Sequence, residues 1–459
     1  MVLALLTFSS CKRLVEIDQP VNSITTEKVF SNDVDATSAM NGIYYDMINV
    51  FNANFSNGGI TICSGLSSDE FNLFNTSNSD YFPFQQNALP PTNYVINNGF
   101  WQPAFRYIYR ANAVIEGVQN STGIHDSVKT ELMAEAKFIR AFEYFYLINL
   151  FGDVPFVTTI NWRNTNLLSR TSVNDIYSSI KADLMDAESN LVSNYSLGNG
   201  LRIIPKSFAA TALLARVYLY SNELANAEAA ATKVINNSSF SLSNNLLTVF
   251  STSSKEAIWQ LKQDSSAFYN YSVYEGNILI PKSGSAPFVF LNDSLLKSFE
   301  PNDKRRLLWV DSVQYNSVKY YFPRKYRIGS NQQFTAPYSE YYTVLRLAEQ
   351  YLIRAEARAR QNKLSEAISD INFIRQRAGL SSLSGSLTQS QVISAIEQEN
   401  RIEFFAEWGH RWLDLKRWER GNAVLAPMKG NNWQPSDQLF PIPQDELRSN
   451  PNLIQNTGY

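Results

Sequence analysis

Two segments of this chain follow one plan, and that plan constrains the fold more than any other feature. In the first, Phe208, Ala212, Ala215 and Leu219 are followed by Asn222-Glu-Leu224 and then by Ala227, Ala231 and Val234. In the second, Ala348, Tyr351, Leu352, Ala355 and Ala359 are followed by Asn362-Lys-Leu364 and then by Ala367, Ile368, Ile371 and Ile374. Each reads as a helix, a short polar turn and a second helix, because the apolar residues recur at helical spacing. Ala215 matches Ala355, and Ala227 matches Ala367. Small residues at matched places let antiparallel helices approach closely. A unit that cannot bury its apolar face alone must stack on its neighbours. The repeat therefore predicts helix pairs that stack to bury a continuous core.

Other helices are legible outside the repeat. From Val173, the residues Ile176, Tyr177, Ile180, Leu184, Ala187 and Leu191 form one stripe, and Ser172-Val-Asn-Asp175 supplies a capping box ahead of it. A further helix is predicted from about Val128 to Phe151, with Gly152 as its stop and Pro155 just beyond. Two regions are irregular. Residues 52–100 are rich in Asn, Ser, Gly, Phe and Tyr. Residues 238–340 hold short β-like pieces such as Ala257-Ile-Trp-Gln-Leu261 between turn signals. Loops this long in a compact fold are functional or disordered, and their aromatic content argues for order.

The totals exclude several classes. Lys and Arg number 40 against 42 Asp and Glu, and no stretch is basic enough to track a phosphate backbone. Nucleic acid is therefore not an expected partner. No apolar run is long enough to span a bilayer. Near the start, Val2-Leu-Ala-Leu-Leu-Thr-Phe-Ser-Ser-Cys11 resembles a bacterial lipoprotein signal: an apolar run ending in small residues and a cysteine. By that likeness residues 1–10 are a signal peptide, Cys11 carries lipid, and 11–25 form a tether. Stable anchoring takes more than one acyl chain. Cys63, the second of two cysteines, then has no partner and reads as a small buried hydrophobe. Residues 26–459 are expected to form one folded unit, made of 26–237, a loop-rich insertion 238–340 and a C-terminal part 341–459.

Little points to catalysis. The two histidines, His125 and His410, do not share metal-ligand spacing with another His or Cys, and no HExxH, P-loop or G-x-S-x-G occurs. No cofactor is expected. The densest polar segment carries Glu397–Arg401 and Glu407–Arg411 at i, i+4 and Asp414–Arg417 at i, i+3, interleaved with Trp408, Trp412 and Trp418. Glu403, His410 and Asp414 could be read as catalytic. The favoured reading is a salt-bridged helix packed on the repeats. Asp69-Glu70 could suggest a glycosidase pair, but adjacent residues on an extended chain point to opposite faces.

Several segments together resemble the SusD/RagB family of outer-membrane nutrient-binding lipoproteins. They are Cys11-Lys-Arg-Leu-Val-Glu-Ile-Asp-Gln-Pro20, Glu135 to Tyr146 with Leu150-Phe-Gly-Asp-Val-Pro155, and Arg346 to Ala357. The most specific is Glu399 to Trp418, and the chain closes on Phe440-Pro-Ile-Pro-Gln-Asp-Glu446 and Gln455-Asn-Thr-Gly-Tyr459. These run in family order along nearly the whole chain. The resemblance implies an all-α fold, in which tetratricopeptide-like helix pairs form a superhelical scaffold with long irregular loops and short β-hairpins packed on it as a ligand face. It also implies a lipid-anchored protein facing the cell exterior at the outer membrane, with a SusC-like TonB-dependent barrel as partner and an oligosaccharide as ligand. A peptide ligand, a cell-surface glycoside hydrolase and a purely protein-binding scaffold are the alternatives.

A sugar ring has an apolar face and a hydroxyl rim, so its site combines flat aromatic rings with amide, carboxylate or guanidinium groups. The chain holds 28 Phe, 24 Tyr and 8 Trp. Among loop residues, Asp69, Phe74, Tyr81, Phe84, Tyr269, Tyr271, Tyr274, Trp309 and Arg324 are the candidates for ligand contact.

Overall fold

A computed structural model describes residues 26–49, 54–195, 200–264, 273–329 and 340–459. The Cys11 lipid site, the signal and tether segments, and the candidates Tyr269 and Tyr271 lie outside the described residues. Ten helices carry the architecture: α1 (Asp33–Ile48), α2 (Gln102–Asn120), α3 (Asp126–Phe151), α4 (Val173–Asn190), α5 (Ser207–Tyr220), α6 (Leu224–Ile235), α7 (Leu347–Arg360), α8 (Leu364–Arg377), α9 (Gln389–Glu403) and α10 (His410–Arg417). From α2 to α8 each helix packs on the next, and α7 and α8 both pack on α9. The stack continues from α6 directly to α7, across the insertion between them.

The repeat is realised in its details. Ala215, Ala227 and Ala357 share one buried cluster, and Ala355, Ala359 and Ala367 share another with Ile371 and Val392. The two turns are superposable in their hydrogen bonds. Asn222 N–H donates to Leu219 O and Glu223 N–H to Tyr218 O, while Asn362 N–H donates to Ala359 O and Lys363 N–H to Arg358 O. Asn222 and Asn362 both take left-handed backbone, at φ 59° and 61°. Asparagine tolerates that region better than most residues, which explains why both turns use it. Ser172 caps α4 as expected, its hydroxyl accepting from Asp175 N–H at 3.2 Å.

Six of the short strands matter for function. Strand β1 (Phe71–Leu73) pairs antiparallel with β3 (Val289–Leu291). Strand β2 (Ala257–Leu261) pairs antiparallel with β6 (Tyr342–Arg346), and every residue of both is buried. Strands β4 (Val310–Tyr315) and β5 (Val318–Pro323) form a hairpin. Its two-residue turn, Asn316-Ser317, has φ 46° and 63°. Two successive positive φ values match the twist of the flanking strands and make a tight hairpin.

A buried ionic network ties β6 to the last helices. Arg346 reaches Glu256 at 2.9 Å, Glu403 at 2.6 Å and Glu407 at 2.8 Å. Arg377 pairs with Glu256 at 2.6 Å and also with Glu403, and Arg305 pairs with Asp303, Glu399 and Glu403. Burial works to raise the pKa of Glu403. The surrounding Arg377, Arg346 and Arg305 outweigh it and hold the carboxyl well below the usual carboxylate range.

Candidate ligand face

The hairpin register decides which side chains share a side. Paired residues face the same way, and neighbours along a strand alternate. Asp311 pairs with Phe322, Val313 with Tyr320 and Tyr315 with Val318, so these six occupy one face. Tyr315 and Tyr320 meet Phe74 edge-on, at 5.6 and 5.5 Å between ring centroids. Tyr320 also meets Phe290 at 5.1 Å, and Tyr81 meets Phe288 at 5.1 Å. All six rings are half-buried. Edge-to-face contacts of this kind hold each ring in place while leaving part of it open.

The same hairpin face runs into a cleft of about 520 Å³, lined in part by Asp311, Val313, Phe322, Arg324 and Arg327. Arg324 donates to Asp311 Oδ2 at 2.5 Å, and its Nε–H has no partner among the described residues. Arg327 donates to the Leu308 carbonyl at 3.1 Å. Glu340 fixes the strand exit by accepting from the backbone N–H groups of Arg327 and Ile328, at 2.7 and 3.2 Å. Aromatic rings at one end and a guanidinium with a carboxylate at the other make a surface with both apolar and polar ligand contacts.

The structure brings Phe74, Tyr81 and Arg324 to this region and turns Phe84, Trp309 and Asp69 into the interior. Phe84 is fully buried, packed edge-on against Phe440 at 5.4 Å. Trp309 is 1 % exposed, and its indole N–H donates to the Leu246 carbonyl at 3.0 Å. Both rings serve the core, because the loops that carry them fold inward over apolar neighbours. Asp69 is 2 % exposed and grips Arg411 at 2.7 Å and Arg401 at 2.6 Å. Burial alone would raise its pKa, but the two guanidinium groups win and lower it. Its role is to fasten the loop of β1 to α9 and α10. Tyr274 begins a short helix, Tyr274–Leu279, and is half-buried against the core.

Phe288, Phe290, Tyr315 and Tyr320 were not among the sequence candidates. Their signals exist in retrospect. Phe288-Val-Phe290 alternates with strand period, and the two tyrosines flank an Asn-Ser turn.

The polar segment of α9 and α10 differs from the helical pairs expected there. Asp414–Arg417 forms at 2.8 Å, but Arg401 and Arg411 both turn to Asp69, Glu397 pairs with Arg420, and Glu407 pairs with Lys325 and Arg346. The chain breaks between the two helices: Ala406, Trp408 and Gly409 have φ of 54°, 46° and 70°. Glycine suits position 409 also because a Cβ there would meet Ser64 Oγ at 2.8 Å. Residues 407 and 411 are thus not one helical turn apart. His410 stacks on Phe404 at 4.6 Å, and burial together with nearby arginines lowers its pKa well below the usual range.

Stacked antiparallel helix pairs bearing an ordered aromatic loop layer define a tetratricopeptide-like recognition scaffold. A family model described as SusD family matches residues 309–459, and one described as starch-binding associating with outer membrane matches 24–219. The chain belongs to the SusD family. It is 28% identical to SusD-like protein P2 of Formosa agariphila, across 100% of this chain and 98% of that protein. It is 24% identical to the starch-binding protein SusD of Bacteroides thetaiotaomicron, across 74% of this chain and 75% of that one. A SusD superfamily crystal structure from Bacteroides vulgatus has the same fold, with TM-score 0.80 and 23% identity over 94% of this chain and 100% of that one.

Proposed function

We propose that this protein binds oligosaccharide nutrients at the hairpin face and passes them to a SusC-like TonB-dependent barrel. In this reading it is an outer-membrane lipoprotein, lipid-anchored through Cys11 and facing the exterior, and it binds its ligand without cleaving it. The observation that carries the reading is the row of half-buried rings leading to the Arg324–Asp311 cleft. Sugar C–H faces stack on such rings, and the ion pair offers donors and acceptors to hydroxyls. The starch-binding relative and the family description support a glycan as the ligand class.

Calorimetry with neutral α- and β-gluco-oligosaccharides tests the binding. Saturable heat is expected, with affinity about tenfold weaker in Tyr320→Ala. Binding of peptides but not of any oligosaccharide would reassign the substrate class, and release of shorter products would reassign the protein as a hydrolase. Mass spectrometry of the membrane-extracted chain tests acylation at Cys11, and co-purification tests the barrel partner.

A further inference from the structure

We infer that the opposite face of the β4–β5 hairpin is a second binding site, built for an acidic saccharide. The proposal rests on the glycan-binding reading above but concerns different side chains. By the register, Ser312 with Tyr321 and Gln314 with Lys319 point away from the aromatic row. Tyr321 and Lys319 line a separate cleft of about 650 Å³ with Arg306, Phe299, Glu300 and Asp303. The Arg306 guanidinium lies 4.8 Å from the centre of the Tyr321 ring, and the Lys319 ammonium 5.2 Å from it. One ring therefore gathers two cations at the same place.

The carboxylates of this cleft are already engaged. Glu300 is taken by Arg375 through two bonds of 2.6 and 2.9 Å. Asp303 is taken by Arg305 at 2.8 Å, and Asp311 at the cleft edge by Arg324 at 2.5 Å. Each carboxylate in the cleft has an arginine partner outside the pair of cations. Arg306 and Lys319 have no ion pair among the described residues. Two cations without an ion pair in a concave surface are available to meet an anion. The planar fork of Arg306 matches a carboxylate or sulfate ester, whereas Lys319 acts as a point charge. Leu307, 78% exposed, adds an apolar edge beside Arg306 for a sugar ring. A branched or long acidic glycan could thus engage both sides of one hairpin.

The test is calorimetry at low salt with three probes on the full folded chain: a neutral gluco-oligosaccharide, its sulfated counterpart, and an oligogalacturonate. The sulfated and uronate arms distinguish the two sources of negative charge. At least one acidic probe should bind more tightly than the neutral one, and its affinity should fall as salt rises. Arg306→Ala and Lys319→Ala should each weaken the acidic probe by about tenfold, the loss expected for one charge-assisted contact. Both variants should leave neutral binding unchanged, and Arg306→Lys should recover part of the loss. Equal affinity for acidic and neutral probes would overturn the second site while leaving the neutral glycan reading intact. So would acidic binding that survives both substitutions but vanishes in Tyr320→Ala, or preference for an acidic peptide. Absence of binding to every saccharide would remove both proposals together.

Discussion

The charge cluster around Arg346 and the two sides of the β4–β5 hairpin solve opposite problems. Around Arg346 nearly every ionised group is buried and met by an opposite charge, and Arg377, Arg305, Glu256, Glu403 and Glu407 leave little for any outside molecule. On the hairpin, rings are half open and Arg306 and Lys319 stand near a phenol rather than a carboxylate. A buried ion pair adds little net stability but is costly to break. An exposed ring or cation costs little to change. The difference teaches that one region can hold the fold constant while the other is free to vary with the ligand.

The sharpest way to break the comparison is Arg346→Met, which removes a buried cation shared by Glu256, Glu403 and Glu407. Urea unfolding should show a loss of about 3–5 kcal/mol. A smaller blow follows from Asp69→Asn, which weakens the hold on Arg401 and Arg411. A loss of roughly 2 kcal/mol is expected, and the folded fraction should keep full glycan affinity, since Asp69 lies in the interior. If affinity fell with stability unchanged, the division between the two regions would be wrong.

A pH scan sharpens it further. Glu275 accepts from Tyr342 at 2.8 Å, and burial pushes its pKa up to about 8. Glu70 is likewise pushed up to about 8, by burial and then by neighbouring Asp69. A folded-state pKa above the ordinary 4.5 means the folded chain holds the proton more tightly. The stabilisation is complete below that ordinary value and is lost as pH rises through 8. These two carboxyls therefore act to lower the melting temperature as pH rises from about 5 to 8. Glu275→Gln, which keeps an acceptor for Tyr342, should flatten that fall by roughly 2 °C or more. The smallest expected effect on the fold is that of Tyr320→Ala. Glycan affinity should drop about tenfold while the melting temperature moves by no more than about 2 °C.

The helical scaffold was readable because its causes are local. Apolar spacing, matched alanines and the left-handed asparagines at 222 and 362 all act within a few residues of where they are written. The ion pairs were less so. Arg401 and Arg411 each had a plausible partner four residues away, yet both are captured by Asp69 from the far end of the chain. For Arg411 the left-handed turn at Ala406–Gly409 removes the helical spacing that pairing with Glu407 needed, whereas Arg401 keeps its helical spacing to Glu397, which pairs with Arg420 instead. For the ligand face, composition announced that rings were plentiful without saying which way each one points. Phe74 and Tyr320 reach the surface, while Phe84 and Trp309 turn inward, and only the pairing of β1 with β3 and the hairpin register separate the two sets. Arg306 and Lys319 had no sequence signal at all, because their meaning depends on which carboxylates are already spoken for.

The pairing of Leu261 with Tyr342 has one more consequence. The chain between them therefore begins and closes at points only about 5 Å apart. The exposed parts between those two positions can thus be lengthened, shortened or exchanged with both splice points clamped, provided that Arg305 and Lys325 keep their buried pairs with Glu399, Glu403 and Glu407. Diversity among relatives should concentrate there, and grafting those parts between them is the natural route to a new appetite on an old frame.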